Sequence, residues 1–241
     1  KNTGSSEARG QVCITGLDPT VFGGATSCDC QTYSFIMVPD ESYQPENLAF
    51  GPYALSFDAP DTEYTLTAVN KFAYSSKATF SPCIRNEFDT QECRVSVGEA
   101  SNGPVSIMSI TEVASPAGSG NVVLAFNVEL RKVGSGNVVE QRSVETECSV
   151  EQFSASSKKI KPKIYGTISG LPLIGSVNCK EATLNDDGTG MMSCIAGDVS
   201  LFDDSGNYRF SGSSQTPSLL TIVYGFEVVD SNRFTIGGTR Y

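Results

Sequence analysis

Asn121-Val122-Val123-Leu124-Ala125-Phe126-Asn127-Val128-Glu129-Leu130 decides the fold class. Val122, Leu124, Phe126, Val128 and Leu130 fall on one side of an extended chain, while Asn127 and Glu129 fall on the other. Successive side chains of a strand point to opposite faces, so a sustained period of two marks a half-buried strand of an antiparallel sheet. Leu220, Ile222, Tyr224, Phe226 and Val228 repeat the rhythm, with Thr221, Gly225 and Glu227 opposite. Tyr64, Leu66, Ala68, Phe72 and Tyr74 do the same against Thr65, Thr67 and Lys71. Turn-forming clusters such as Asp203-Asp204-Ser205-Gly206-Asn207 and Asp230-Ser231-Asn232 separate the strand patterns, and helical periodicity is nearly absent. The chain is expected to be all-β.

A weak internal repeat suggests the organisation. Lys1-Asn2-Thr3-Gly4-Ser5-Ser6 resembles Arg131-Lys132-Val133-Gly134-Ser135-Gly136, and each precedes a long stretch that closes on an apolar segment. Those segments, Tyr64 to Phe80 and Leu219 to Ile236, read as two hairpins, turning near Ser75-Ser76 and near Asp230-Ser231-Asn232, with Phe72 aligned to Phe226. The expectation is two antiparallel β-sandwich domains, residues 1–100 and 101–241, with the boundary in Gly98 to Gly103. Strands at Val105 to Val113 and Val122 to Leu130 precede the Gly134 turn in the second unit. The first unit begins at the equivalent turn and so lacks its N-terminal strands. An upstream segment, an edge made from Gln11 to Leu17, or a strand donated by a neighbouring subunit would complete it. Gln11, Val12, Cys13, Ile14 and Thr15 are therefore the expected assembly edge.

Composition narrows the function. The 17 Lys and Arg against 27 Asp and Glu leave a net charge of -10, which speaks against nucleic acid as a partner. The basic run Lys158, Lys159, Lys161 and Lys163 reads as a solvated loop or a guarded edge strand. Histidine is absent, which removes Ser-His-Asp and Cys-His catalysis and imidazole zinc sites. Tryptophan is absent as well, and no apolar run approaches the roughly 20 residues of a membrane-spanning helix. No enzyme is expected.

Eight cysteines, at 13, 28, 30, 83, 93, 148, 179 and 194, read as disulfides formed in an oxidising compartment. Cys83 and Cys93 bracket a short polar loop. Cys179 and Cys194 flank the turn Asn185-Asp186-Asp187-Gly188 and should join neighbouring strands. Cys13 can reach Cys28 or Cys30, which leaves one of that pair and Cys148 to bridge the halves or join subunits. A redox or metal role for Cys28-Asp29-Cys30 is the weaker reading, because no second closely spaced pair completes a ligand set. Among the carboxylates, Asp186 and Asp187 are the foremost candidate for a bound calcium, ahead of Asp203 and Asp204, although both pairs sit in ordinary turn sequences. Otherwise no cofactor is expected. Tyr33, Phe35, Tyr43, Phe50 and Tyr53 either fill a core beneath long loops or form an adhesive face.

Gly103-Pro104-Val105-Ser106-Ile107, Asn121 to Asn137 and the terminal Leu220-Thr221-Ile222-Val223-Tyr224-Gly225-Phe226 together resemble tandem immunoglobulin-like domains of archaeal surface proteins. Asn2-Thr3-Gly4 followed by Val12-Cys13-Ile14-Thr15-Gly16-Leu17-Asp18-Pro19 is similar to the same kind of domain. The resemblance implies a cell-surface or extracellular role and carries over no catalytic residue. The absence of any Asn-X-Ser/Thr sequon counts modestly against an exposed archaeal surface protein. The expected function is a structural subunit of an extracellular filament or surface assembly that self-associates by strand pairing or donation. The rivals are an adhesin or ligand-binding module and a virion or tail decoration protein.

Overall fold

The computed structural model of the chain describes residues 8–25, 28–35, 48–55, 62–83, 95–141, 161–209 and 217–236. These residues build β1 (Ala8–Thr15), β2 (Phe22–Gly23), β3 (Cys28–Phe35), β4 (Ala54–Leu55), β5 (Thr62–Ser81), β6 (Ser96–Ala100) and β7 (Val105–Gly118). They continue with β8 (Asn121–Lys132), β9 (Asn137–Val139), β10 (Lys163–Leu171), β11 (Gly175–Asn178), β12 (Ala182–Thr183), β13 (Thr189–Ser200) and β14 (Ser218–Ile236). The fold is all-β and its strand pairs are antiparallel.

One pairing organises the rest. β5 and β14 are paired along their length, from Ser218 opposite Phe80 to Ile236 opposite Thr62. They form the centre of a nine-stranded sheet ordered β11-β10-β14-β5-β1-β3, with β6 on β5, β9 on β14 and β12 on β10. The two segments read as hairpins are thus single strands bound to each other, which corrects the sequence expectation. A tight hairpin needs central residues that accept positive φ, usually Asn-Gly or Gly. Ser75-Ser76 and Asp230-Ser231-Asn232 provide neither, and no residue of β5 or β14 has positive φ. Phe72 and Phe226, aligned in the repeat, are instead cross-strand partners with ring centroids 5.7 Å apart. β5 comes from residues 1–100 and β14 from residues 101–241, so one sheet draws on both halves of the chain.

A true hairpin joins β7 to β8 through Gly118-Ser119-Gly120, all at positive φ, and β13 completes a three-stranded sheet ordered β13-β8-β7. Its inner face is the one legible in the sequence: Val122, Leu124, Phe126, Val128 and Leu130 are buried. Tyr74, Ala78, Phe80, Leu220, Ile222, Tyr224 and Phe226 face them from the large sheet, joined by Ile164 and Ile168 of β10. Phe80 meets Phe126 edge to face at 5.4 Å. Two apolar faces pressed together give the sandwich its core.

A closed polar network locks the two layers together. Ser76 Oγ donates to the Val105 carbonyl at 2.6 Å and lies 2.9 Å from the Tyr224 hydroxyl. Val105 N–H in turn donates to the Tyr224 oxygen at 3.0 Å. The Tyr224 proton therefore goes to Ser76, the Ser76 proton to Val105, and every group is satisfied with little exposure to water. Burial pushes the Tyr224 phenol up to about 12, so it stays protonated and able to donate. Gly103 is required beside this network, because a Cβ there would stand 2.7 Å from both Ser76 Oγ and a Tyr74 ring carbon. Replacing Tyr224→Phe leaves the buried Val105 N–H without its acceptor. The expected loss is about 1–3 kcal/mol of unfolding free energy, read as a lower midpoint in urea titration with unchanged slope.

Candidate functional site

The half of the β5–β14 ribbon that extends past the sandwich carries most of the candidate residues. β1 pairs with β5 on one side and β3 on the other, with Cys13 directly opposite Cys30. Those two cysteines are bonded, as are Cys179 and Cys194. Cys194 lies on the inner face of the small sheet, and Cys179 follows β11 of the large one, so their bond ties the layers together. Cys28 and Cys83 are also in disulfides, and no described cysteine is free. Cys93 and Cys148 lie outside the described residues. Cys28 Sγ is 3.8 Å from Cys30 Sγ, and the sulfurs of Cys13, Cys28 and Cys30 gather in one cluster. A metal would need thiolates, and all three sulfurs are already used in disulfides.

The carboxylate pairs are turn residues. Asp187 accepts hydrogen bonds from the Thr189 N–H at 2.9 Å and the Thr189 hydroxyl at 2.7 Å, which hold its carboxyl below the usual range. Asp203 accepts from the N–H groups of Ser205 and Asn207 in the same way. Among the described residues no third acidic group joins Asp186 and Asp187. Each pair shapes a tight connection, the first between β12 and β13 and the second after β13.

Of the aromatic residues, Tyr53 is half-buried and donates to the Asp29 carboxylate of β3. Phe50 is half-buried near it in the chain. Tyr43 lies outside the described residues, as do the side chains of Tyr33 and Phe35. Lys161 and Lys163 are exposed, and Lys163 Nζ is 2.6 Å from Glu181, whereas Lys158 and Lys159 lie outside the described residues.

The expected assembly edge is not a free edge. Residues Gln11 to Thr15 belong to a strand paired on both sides, so their backbone groups are spent inside the sheet. The open edge lies elsewhere. On the side away from β5, β14 is covered by β10 from Leu219 to Val223 and by β9 from Gly225 to Glu227. Among the described residues nothing pairs with that side from Val228 to Ile236. Val228 is 38% exposed and Val229 is 49% exposed.

Two residues read as solvent-facing are buried. Lys71 is 3% exposed and Glu227 is 5% exposed, and they are cross-strand partners, with Gln11, 7% exposed, opposite Lys71 on its other side. Burial raises the Glu227 carboxyl, while the charge of Lys71 and a hydrogen bond from Asn137 pull it back. The strand alternation put both residues on the face away from the sandwich core. It held no signal that this second face also buries side chains. Glu112 was missed for a related reason. It points inward from β7 opposite Phe126, where one oxygen accepts from Cys83 N–H at 2.7 Å and the other is buried without a hydrogen bond.

The chain matches no protein-family model, no curated protein and no solved structure. Among the described residues no helix is long and apolar enough to cross a membrane.

Burial raises the Glu112 carboxyl above its ordinary 4.5, and the Cys83 hydrogen bond only partly offsets this. The native state then holds a proton that the unfolded chain has released, so Glu112 costs stability as pH climbs from 4.5 through its raised value. Glu112→Gln should match the native protein in thermal midpoint near pH 4.5 and exceed it increasingly toward neutrality. A midpoint difference independent of pH would contradict this.

Proposed function

We propose that the chain is a structural subunit of an extracellular filament or cell-surface assembly, built on immunoglobulin-like sandwich packing and joined copy to copy by strand pairing. The observation that carries the reading is the valine-bearing edge at the end of the longest pairing in the fold, which no other described strand covers. An edge strand offers a row of unmatched N–H and C=O groups that another strand can satisfy, so it is a ready contact for polymerisation. The disulfides support an oxidising compartment, because such bonds persist outside the reducing cytosol. They also suit a load-bearing part, since covalent ties across the sandwich and across β1–β3 resist local opening.

A second reading, a ligand-binding surface module, has one observation of its own. An open groove of about 390 Å³ is lined by Leu173, Ile174, Asp198, Val199 and Arg209 among others. Leu173 holds a φ of 69° and is 59% exposed, an unfavourable conformation for an apolar residue in water. The two readings separate in solution. A subunit self-associates with rising concentration, while a tethered binding module remains single.

For the favoured reading, analytical ultracentrifugation and negative-stain electron microscopy of the full chain should show assemblies that grow with concentration. Val229→Lys places a charge at the exposed edge without touching the core, and should weaken self-association by roughly tenfold or more, equivalent to about 1.4 kcal/mol. A chain that stays monomeric at high concentration would sink the proposal.

A further inference from the structure

We propose that the open stretch of β14, Val228 to Ile236, pairs antiparallel with the same stretch of a second copy about a two-fold axis at Asn232. This rests on the reading of the chain as an assembly subunit and specifies the contact. The register follows from the limits of the opening. Among the described residues β9 closes the edge through Glu227, and β14 runs to Ile236. The longest antiparallel self-pairing within that window is centred on Asn232, which sets Val228 opposite Ile236, Val229 opposite Thr235, Asp230 opposite Phe234 and Ser231 opposite Arg233. A two-fold axis perpendicular to the sheet also keeps the pleats in phase. Opposing residues then share a face only when the axis passes through a residue, as it does here.

The chemistry of the segment permits this pairing. One acid, Asp230, and one base, Arg233, make the stretch neutral, although the whole chain carries -10. No like charges stand directly opposite each other in the proposed register. Arg233 is 4.0 Å from Glu63 of its own subunit, which offsets its charge near the axis. β-branched residues occupy the two outer positions at each end, Val228 and Val229 against Thr235 and Ile236, where they favour extended backbone. The result is a closed, self-complementary contact that runs the large sheet of one copy into that of the next. Further copies would then join through other surfaces.

Single-cysteine variants of the full chain test the register. In Asn232→Cys the two introduced residues face each other across the axis, at a separation a disulfide can span. Under mild oxidation this variant should run at twice the 25.6 kDa of the chain on non-reducing gels, with peptide mapping showing the two introduced thiols linked to each other. In Asp230→Cys the paired residues are offset by four positions, about 13 Å, beyond the reach of a disulfide, so this variant should stay at single-chain mass. If the unmodified chain self-associates but Asn232→Cys does not cross-link, or Asp230→Cys cross-links equally well, the contact is wrong and another edge of the chain serves the assembly. If the unmodified chain is monomeric throughout, the functional reading fails together with the contact.

Discussion

The Tyr224 hydroxyl fixes the distance between the two layers of the sandwich. It accepts from Val105 at the start of β7 and hands its own proton to Ser76 of β5, so three strands remote in sequence are held at one point. Burying such groups is costly unless each finds a partner, and here each does. The network therefore acts as a gauge. It admits the one spacing at which Phe80 can meet Phe126 and the small sheet can close over Leu220 and Ile222. Gly103 belongs to the same constraint, because the segment entering β7 must pass too close to Tyr74 and Ser76 for a side chain to fit.

Where a fold element depends on local alternation, the sequence reveals it. Val122 to Leu130 and Ile222 to Phe226 face the core as their period of two requires. The Cys179–Cys194 bond was equally legible, because the four-residue turn Asn185 to Gly188 folds β13 back so that Cys194 lies opposite Cys179. Where the outcome depends on remote partners, the pattern is silent. Ser76 looked like a turn residue because Ser is common in turns, yet it is a fully buried node of the polar network. Lys71 and Glu227 looked solvent-facing because they are charged, yet each lies opposite the other in the middle of the sheet. The loss of the expected edge has the same origin. Gln11 to Thr15 form an interior strand because β3 folds back on their outer side.

The cysteines strengthen this pattern where hydrophobic burial is thin. The sandwich half has the large apolar core, and the layer-to-layer bond Cys179–Cys194 reinforces it. The extending half has fewer large apolar side chains, and there Cys13, Cys28 and Cys30 crowd on one face beside Val69. A cross-strand bond restricts the unfolded chain whether or not a core forms above it, so covalent ties are most useful where burial is limited.

The long ribbon also explains why one edge has no partner among the described residues. β5 and β14 outrun the small sheet that covers their other half, so the extending part must find lateral partners separately on each side. On the β5 side β1 and β3 supply them, fastened by Cys13–Cys30. On the β14 side, among the described residues, coverage ends with the short β9. Asp230 and Arg233 follow the exposed Val228 and Val229 there, charges being a common guard against indiscriminate pairing, and the two cancel within the stretch. An edge guarded by net charge repels a like-charged strand, its own copy included, whereas an edge guarded by a balanced pair discriminates by register. That difference separates a surface kept soluble from one kept selective, and the contact proposed for β14 requires the second kind.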